Sequence, residues 1–346
     1  MKIKYFLFLF LNINFIFSNN KNIKIEENFI KFQNFIKTYN KSYDSFEEFN
    51  FRYSIFLENL QFIKNLEAFK NKTSNLKFGI TKFFDLSQEE FKANYLTLKN
   101  DDKRFLKELP RYDFTPSFAD NEYPENFNWR DFNIMGPVKK QGKCGGCWAF
   151  ATVGTVEAYY TIKTGKKKVF SEQQLLDCNK IAYGCDGGNM RQGYEYLETN
   201  GLMLQEEYPF ELENPPKNVE YNCRYNEKNT YVKVKHFEII SKDEEEMKKI
   251  LYEKGPLSAS INSHLLMFYK DGIFDPYLNF ICKTGVNHAV ILVGYGVENG
   301  VKYWTVKNSW GDNWGDKGYF KIKRGEGLCG INYYTLYAEI EDLELE

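Results

Sequence analysis

Histidine is scarce in this chain, with three in 346 residues: His236, His264 and His288. None has a second His or a Cys pair close by in sequence, so a zinc module has no framework here. Any reaction that needs an imidazole base has only these three to draw on. Net charge is just as sparse, at −1 from 46 Lys and Arg against 47 Asp and Glu. No basic stripe suits nucleic acid, and none is expected to bind. Proline occurs nine times, and cysteine is absent before Cys144. After the first 20 positions no apolar run approaches the length of about 20 residues that crosses a bilayer, so no membrane span is expected.

What is present begins with "MKIKYFLFLFLNINFIFSNN". Lys2 and Lys4 precede an apolar run closed by the small Ser18, the layout of a secretory signal over residues 1–18. That route permits disulfides. The seven cysteines are Cys144, Cys147, Cys178, Cys185, Cys223, Cys282 and Cys329, an odd number that leaves one thiol over after three bridges. Arithmetic does not identify it, and Cys144-x-x-Cys147 alone could equally be a redox pair.

Two textures follow. From Ile25 to about Leu98 the sequence is helix-friendly and free of cysteine. Glu48, Arg52, Phe56, Asn59 and Ile63 fall at steps of 4, 4, 3 and 4, one narrow helical stripe, with an ion pair expected between Glu48 and Arg52. Ser87 with Glu90 predicts a capping box. Residues 100–122 read as an extended, loosely held linker open to proteolysis. From Tyr123 onward, helices are predicted at "CWAFATVGTVEAYYTIKTG", "SEQQLLDC" and "DEEEMKKILYEKG". Strands follow at "HAVILVGYG", "KYWTVKN" and "YFKIKRG". Helices before strands predict an α+β fold with two subdomains.

A thiol nucleophile needs a base and donors for an oxyanion. His236 lies in an alternating stretch and reads as an ordinary surface or edge-strand residue; His264 reads as a helix-start or loop residue. His288 opens an apolar strand, a rigid place from which to aim a ring. Asn308, at the end of a later strand beside Trp310, can orient an imidazole, and the indole can shield that bond from water. Read alone, "NSW" is equally a plain turn with a packed Trp.

In order along the chain, "QGKCGGCWAF", "NHAV" and "NSWGDNWG" resemble the papain-like cysteine proteases. The Glu48 to Ile63 stripe resembles the inhibitory pro-region of the cathepsin L type. The resemblance implies a papain-like two-subdomain fold, a helical half plus a β-barrel-like half, preceded by a helical pro-domain. It implies a signal at 1–18, an inhibitory pro-region at 19–122 and a protease at 123–346. Cys147 matches the nucleophile, His288 the base, Asn308 its orienting residue and Gln141 the oxyanion donor. A thiolate–imidazolium pair is then expected, helped by a helix N-terminus under Cys147. The family pattern further implies bridges Cys144–Cys185, Cys178–Cys223 and Cys282–Cys329. Gly187 and Gly188 match the stretch that pairs with a substrate backbone; Met190, Ser260, Val286 and Tyr334 match the pocket for the side chain two before the cut, and Trp310 lies on the substrate side. Tyr334, bulkier than the usual small residue, is expected to favour Val or Leu over Phe there.

Departures from the pattern are Gly146 for Ser, Asn287 for Asp, Thr81 for Asn and Glu67 for Asn. No histidine-bearing insertion suggests capture of a chain terminus, so an endopeptidase is expected, acting on protein and peptide substrates as a monomer with its own pro-region as inhibitor. No cofactor or metal is implied. A lysosome, an equivalent acidic vacuole or secretion is the expected destination. Sequons stand at Asn40 and Asn71. A catalytically idle relative is the rival reading, disfavoured by the intact Gln141, Cys147, His288 and Asn308 set.

Overall fold

The computed structural model describes residues 19–68, 74–99, 110–216, 218–275, 282 and 285–341. The expected signal at 1–18 and the sequon at Asn71 lie outside them. The chain divides into two compact units, one up to Phe62 and one from Ile63 onward.

The first unit is built on helices α1 (Asn19–Thr38) and α2 (Phe46–Ala68). Phe32 and Phe35 of α1 meet Phe49, Tyr53 and Phe56 of α2, with Phe32 at 5.1 Å from the rings of both Tyr53 and Phe56. The spacing of three and four residues puts these rings on facing stripes, so aromatic burial and edge contacts supply the adhesion. Arg52 lies 3.7 Å from Glu48, the expected ion pair, but Glu48 also accepts from the Asp44 amide at 2.9 Å. Its carboxylate therefore also braces the turn that opens α2.

In the second unit, strand β1 (Lys77–Phe78) precedes helix α3 (Gln88–Tyr95), which opens on the predicted Ser87–Glu90 capping box. The segment read as a loose linker is in part ordered. The Tyr112 amide donates to Ile239 and the Ile239 amide to Pro110, both at 3.0 Å. Unpaired backbone at a sheet edge recruits any extended chain beside it, which composition does not reveal.

Strand β2 (Phe127–Asn128) leads to helix α4 (Cys147–Thr164), buried from Cys147 through Thr161. Thr152, Thr155, Thr161 and Thr164 each donate a hydroxyl to the carbonyl four residues back, at 2.7–2.8 Å. The helix can thus be buried without stranding polar groups. Gly165 ends it in the left-handed region, φ 67°. Helices α5 (Glu172–Cys178), capped by Ser171, and α6 (Met190–Thr199), capped by Asn189, complete the helical half.

The other half comprises β3 (Val234–Ile239), helix α7 (Glu244–Lys254), β4 (Leu257–Ile261), β5 (Tyr269–Asp271), β6 (Ile273–Phe274), β7 (His288–Glu298), β8 (Val301–Lys307), β9 (Tyr319–Lys323) and β10 (Thr335–Ile340). The main sheet runs β3-β10-β4-β7-β8-β9-β6, with β2 added beside β7, while β1 pairs with β5. The half expected to be barrel-like is an open sheet: β3 and β6 end it without pairing to each other. The central β7, buried from His288 to Gly296, crosses beside α4 and brings the two halves together.

Candidate active site

Cys147 is the first residue of α4 and the free thiol of the chain, fully buried. Cys144 is bonded to Cys185, which excludes a redox pair between Cys144 and Cys147; Cys178 is bonded to Cys223 and Cys282 to Cys329. Gly146 is the N-cap and offers no capping side chain.

His288 begins β7, opposite Ile261 of β4. Its Nε2 lies 2.8 Å from Asn308 Oδ1, and the ring stacks on Trp310 with centroids 4.8 Å apart. An amide oxygen can only accept, so Nε2 carries the hydrogen and Nδ1 is left with a lone pair. Nδ1 is buried and makes no well-formed hydrogen bond. Asn308 Oδ1 also accepts from the Ser309 amide at 2.8 Å, which fixes the rotamer. Gln141 is fully buried: Nε2 donates to the Cys144 carbonyl at 2.9 Å, and Oε1 accepts from Ser309 Oγ at 2.7 Å. Gln141, Cys147, His288, Asn308 and Trp310 are brought together from four segments of the second unit.

Residues Tyr95–Lys99 lie across this constellation. Thr97 Oγ1 donates to the Gly145 carbonyl at 2.7 Å, and the Thr97 backbone interacts with the Cys147 thiol. The Leu98 amide donates to Asn287 at 3.1 Å, and the Lys99 amide to Gly188 at 2.8 Å, in a parallel bridge between Leu98 and Gly188. A side chain at Gly188 would stand 2.8 Å from the Trp148 indole, and Gly187 has φ 111°. Only glycine lets an extended chain approach so closely there. Nothing in the sequence signalled Tyr95, the last residue of α3, or Thr97, Leu98 and Lys99, which follow that helix without periodicity.

The remaining predicted positions separate. Met190 opens α6, fully buried; Ser260, Val286 and Tyr334 are buried together around β4, where the Ser260 amide donates to the Tyr334 carbonyl at 2.9 Å. Tyr334 is 4% exposed, so its ring is held inside. His236 lies on the edge strand β3, beside Glu238 and Glu339. His264 starts a short 3-10 turn, its Nε2 2.8 Å from Gln88 Oε1 of α3. Thr81, in the place of Asn, donates to the Met267 carbonyl; Glu67 accepts from the Phe78 amide at 3.3 Å.

With Tyr95–Lys99 in place, burial opposes the charges of the expected thiolate–imidazolium pair. Burial pushes the Cys147 thiol up to about 11, against lowering contacts from the backbone of Ala289, Trp148 and Thr97. Burial likewise pushes His288 down to about 4, opposed by Asn308 and the Tyr95 carbonyl. Desolvation outweighs the helix N-terminus and favours the uncharged form of both covered groups.

A buried thiol, an imidazole oriented through an amide oxygen and a second amide beside them define a thiol-dependent acyl-transfer centre, blocked by its own chain. Residues 123–339 match the papain family cysteine protease pattern and residues 32–91 the cathepsin propeptide inhibitor domain; the chain belongs to the papain family. Among relatives, the viral cathepsin of Adoxophyes honmai nucleopolyhedrovirus is 40% identical over 311 residues, 87% of this chain and 88% of the viral protein. Cathepsin F of Drosophila melanogaster is 35% identical over 317 residues, 89% of this chain and 49% of that protein. Digestive procathepsin L2 from Tenebrio molitor larval midgut superposes with a TM-score of 0.80 at 32% identity, covering 90% of this chain and 99% of that one. The recombinant stem bromelain precursor gives 0.75 at 31% identity, covering 91% and 100%. The chain is a cysteine endopeptidase of this family in its precursor form.

Proposed function

We propose that Cys147 is the nucleophile, His288 the base and acid, Asn308 the residue that orients His288, and Gln141 an oxyanion donor. Cys147 gives its proton to His288 Nδ1 as its sulfur attacks the peptide carbonyl carbon. Negative charge on the carbonyl oxygen is met by the second Gln141 Nε2 hydrogen and the Cys147 amide. The C–N bond breaks as His288 returns the proton to the leaving amine. Water then attacks the thioester with His288 as base, releasing a carboxylic acid and the thiol. The thiolate–imidazolium pair belongs to the opened cleft, where water reduces the cost of both charges.

The observation that carries this reading is the course of Tyr95–Lys99, pressed on Cys147, His288 and Gly188. Gly187 and Gly188 would pair with substrate backbone, beside Trp310, and Met190, Ser260, Val286 and Tyr334 would line the side-chain pocket. The buried Tyr334 ring would shorten that pocket. The pro-region then runs over residues 19–122 and the protease over 123–346, a monomer cutting protein and peptide chains. Three disulfides fit a secretory route to an acidic vacuole or the exterior. The exposed Asn40 of the first sequon suits glycosylation on that route.

Labelling with an electrophile that reacts only with activated thiols tests the roles. Acid-treated protein should take up one label at Cys147, and His288→Ala should take up none at the same pH. Equal slow labelling of both proteins would leave an idle relative as the better account.

A further inference from the structure

Three buried charged residues, Glu157, Glu172 and Lys307, and the partly buried Lys139 lie behind the site and have no part in the chemistry above. Lys139 Nζ spends all three of its hydrogens, on Glu157 Oε1 at 2.7 Å, Glu172 Oε1 at 2.6 Å and the Phe170 carbonyl at 2.7 Å. Glu157 Oε2 and Glu172 Oε2 remain buried without a partner. Lys307 is 5% exposed, and its Nζ donates to the Gly136 carbonyl at 2.9 Å. Two of its hydrogens therefore remain for two carboxylate oxygens. All four residues line one cavity of about 20 Å³, together with Asn308, Ser309 and the apolar Phe150, Val290 and Ile291. Room for a single water is about 10–15 Å³, and a water needs two to four polar partners. Gly136 belongs to the same arrangement, since a side chain there would stand 2.6 Å from Glu157 Oε2.

The placement of these charges matters more than their number. Glu157 lies on α4, the helix whose first residue is Cys147. Lys307 is the last residue of β8, and the next residue is Asn308, whose Nδ2 is also buried without a partner. The helix that carries the thiol and the strand that delivers the orienting amide thus present opposite charges to each other across one small cavity whose other walls are largely apolar. A charge in such a place is costly unless it is matched, and a matched one resists displacement.

We propose that Lys307 is a positioning residue, which ties the end of β8 to Glu157 and Glu172 through one bound water and so sets the distance between the Cys147 helix and the His288–Asn308 pair. Loss of this tie leaves the reacting groups intact but lets them drift, and a shift of about an ångström is enough to cost two orders of magnitude in rate.

The inference rests on the catalytic roles proposed above. Its test is Lys307→Met in the full precursor, activated by acid, with active sites counted by an irreversible thiol reagent. The expected result is a fall in kcat per titrated site of tenfold or more, with KM within about twofold. The His288-dependent limb of the alkylation pH profile should also move. Lys302→Met, on the exposed part of the same strand, should leave all three unchanged. If Lys307→Met does not fold, the double variant Lys307→Met with Glu157→Gln removes both charges and should show the same loss. Wild-type kcat per site and an unmoved pH profile in either folded variant overturn the proposal. An inactive wild type would sink the catalytic roles and this one with them.

Discussion

At the scale of single residues, the chemistry turns on how few groups stand near the thiol. Asn308 holds His288 through one hydrogen bond with a rotamer fixed by Ser309. Removing it frees the ring and exposes the partner's polar edge, a loss of about 1.5–3 kcal/mol. Asn308→Ala should therefore lower kcat/KM by roughly ten- to a hundredfold in the activated enzyme, measured with a peptide substrate. Tyr334 tests selectivity: Tyr334→Ala should raise kcat/KM for peptides with Phe two before the cut relative to those with Leu. An unchanged ratio would mean the ring does not limit the pocket. That Gln141, Cys147, His288 and Asn308 belong together was legible from sequence because short motifs carry them. The charge state was not, since it depends on solvent that the Tyr95–Lys99 segment excludes. Lys139, Glu157, Glu172 and Lys307 were invisible for a similar reason: four charges scattered over 170 positions acquire meaning only when folded.

At the scale of elements, Tyr95–Lys99 and α3 act as the plug, and their grip depends on pH. His288 beneath the plug is held down to about 4, chiefly by burial. His264, against Gln88 of α3, is lowered first by burial and then by Lys92, with Glu89 opposing. In the opened cleft His288 takes its proton from Cys147, an exchange that needs none from solvent, so net proton uptake on opening rests on His264, which binds a proton less readily while the plug is seated. The seated state is fully favoured above the ordinary histidine value of about 6.5 and loses ground as pH falls below it. Inhibition of the activated enzyme by added pro-region should weaken at least tenfold between pH 7 and pH 4.5. The variant His264→Gln, which cannot titrate there, should keep a larger part of its inhibition in acid. Inhibition independent of pH would contradict this linkage. Helices α2, α4, α5 and α7, the capping box and the three late strands were readable from periodicity and caps, whereas α6 was not. The edge pairing of Pro110–Tyr112 and the course of Tyr95–Lys99 were not, because extended chain takes its conformation from the surface it meets.

At the scale of the whole molecule, the chain carries its catalyst and its inhibitor in one reading frame, and disulfides brace the catalyst half. Each native bridge contributes about 2–4 kcal/mol. The open sheet, in place of a closed barrel, leaves β3 as an edge that the Pro110–Tyr112 stretch covers. The central claim is that Cys147 and His288 are complete but covered, and that acid uncovers them. The most direct measurement is to hold the purified precursor at pH 4–5, with and without Cys147→Ala, and to follow its mass and its thiol-dependent peptidase activity. The account predicts that the wild type loses roughly its first third and becomes active while the variant remains whole. Loss of that segment from the wild type by an added protease, with no activity gained, would contradict it.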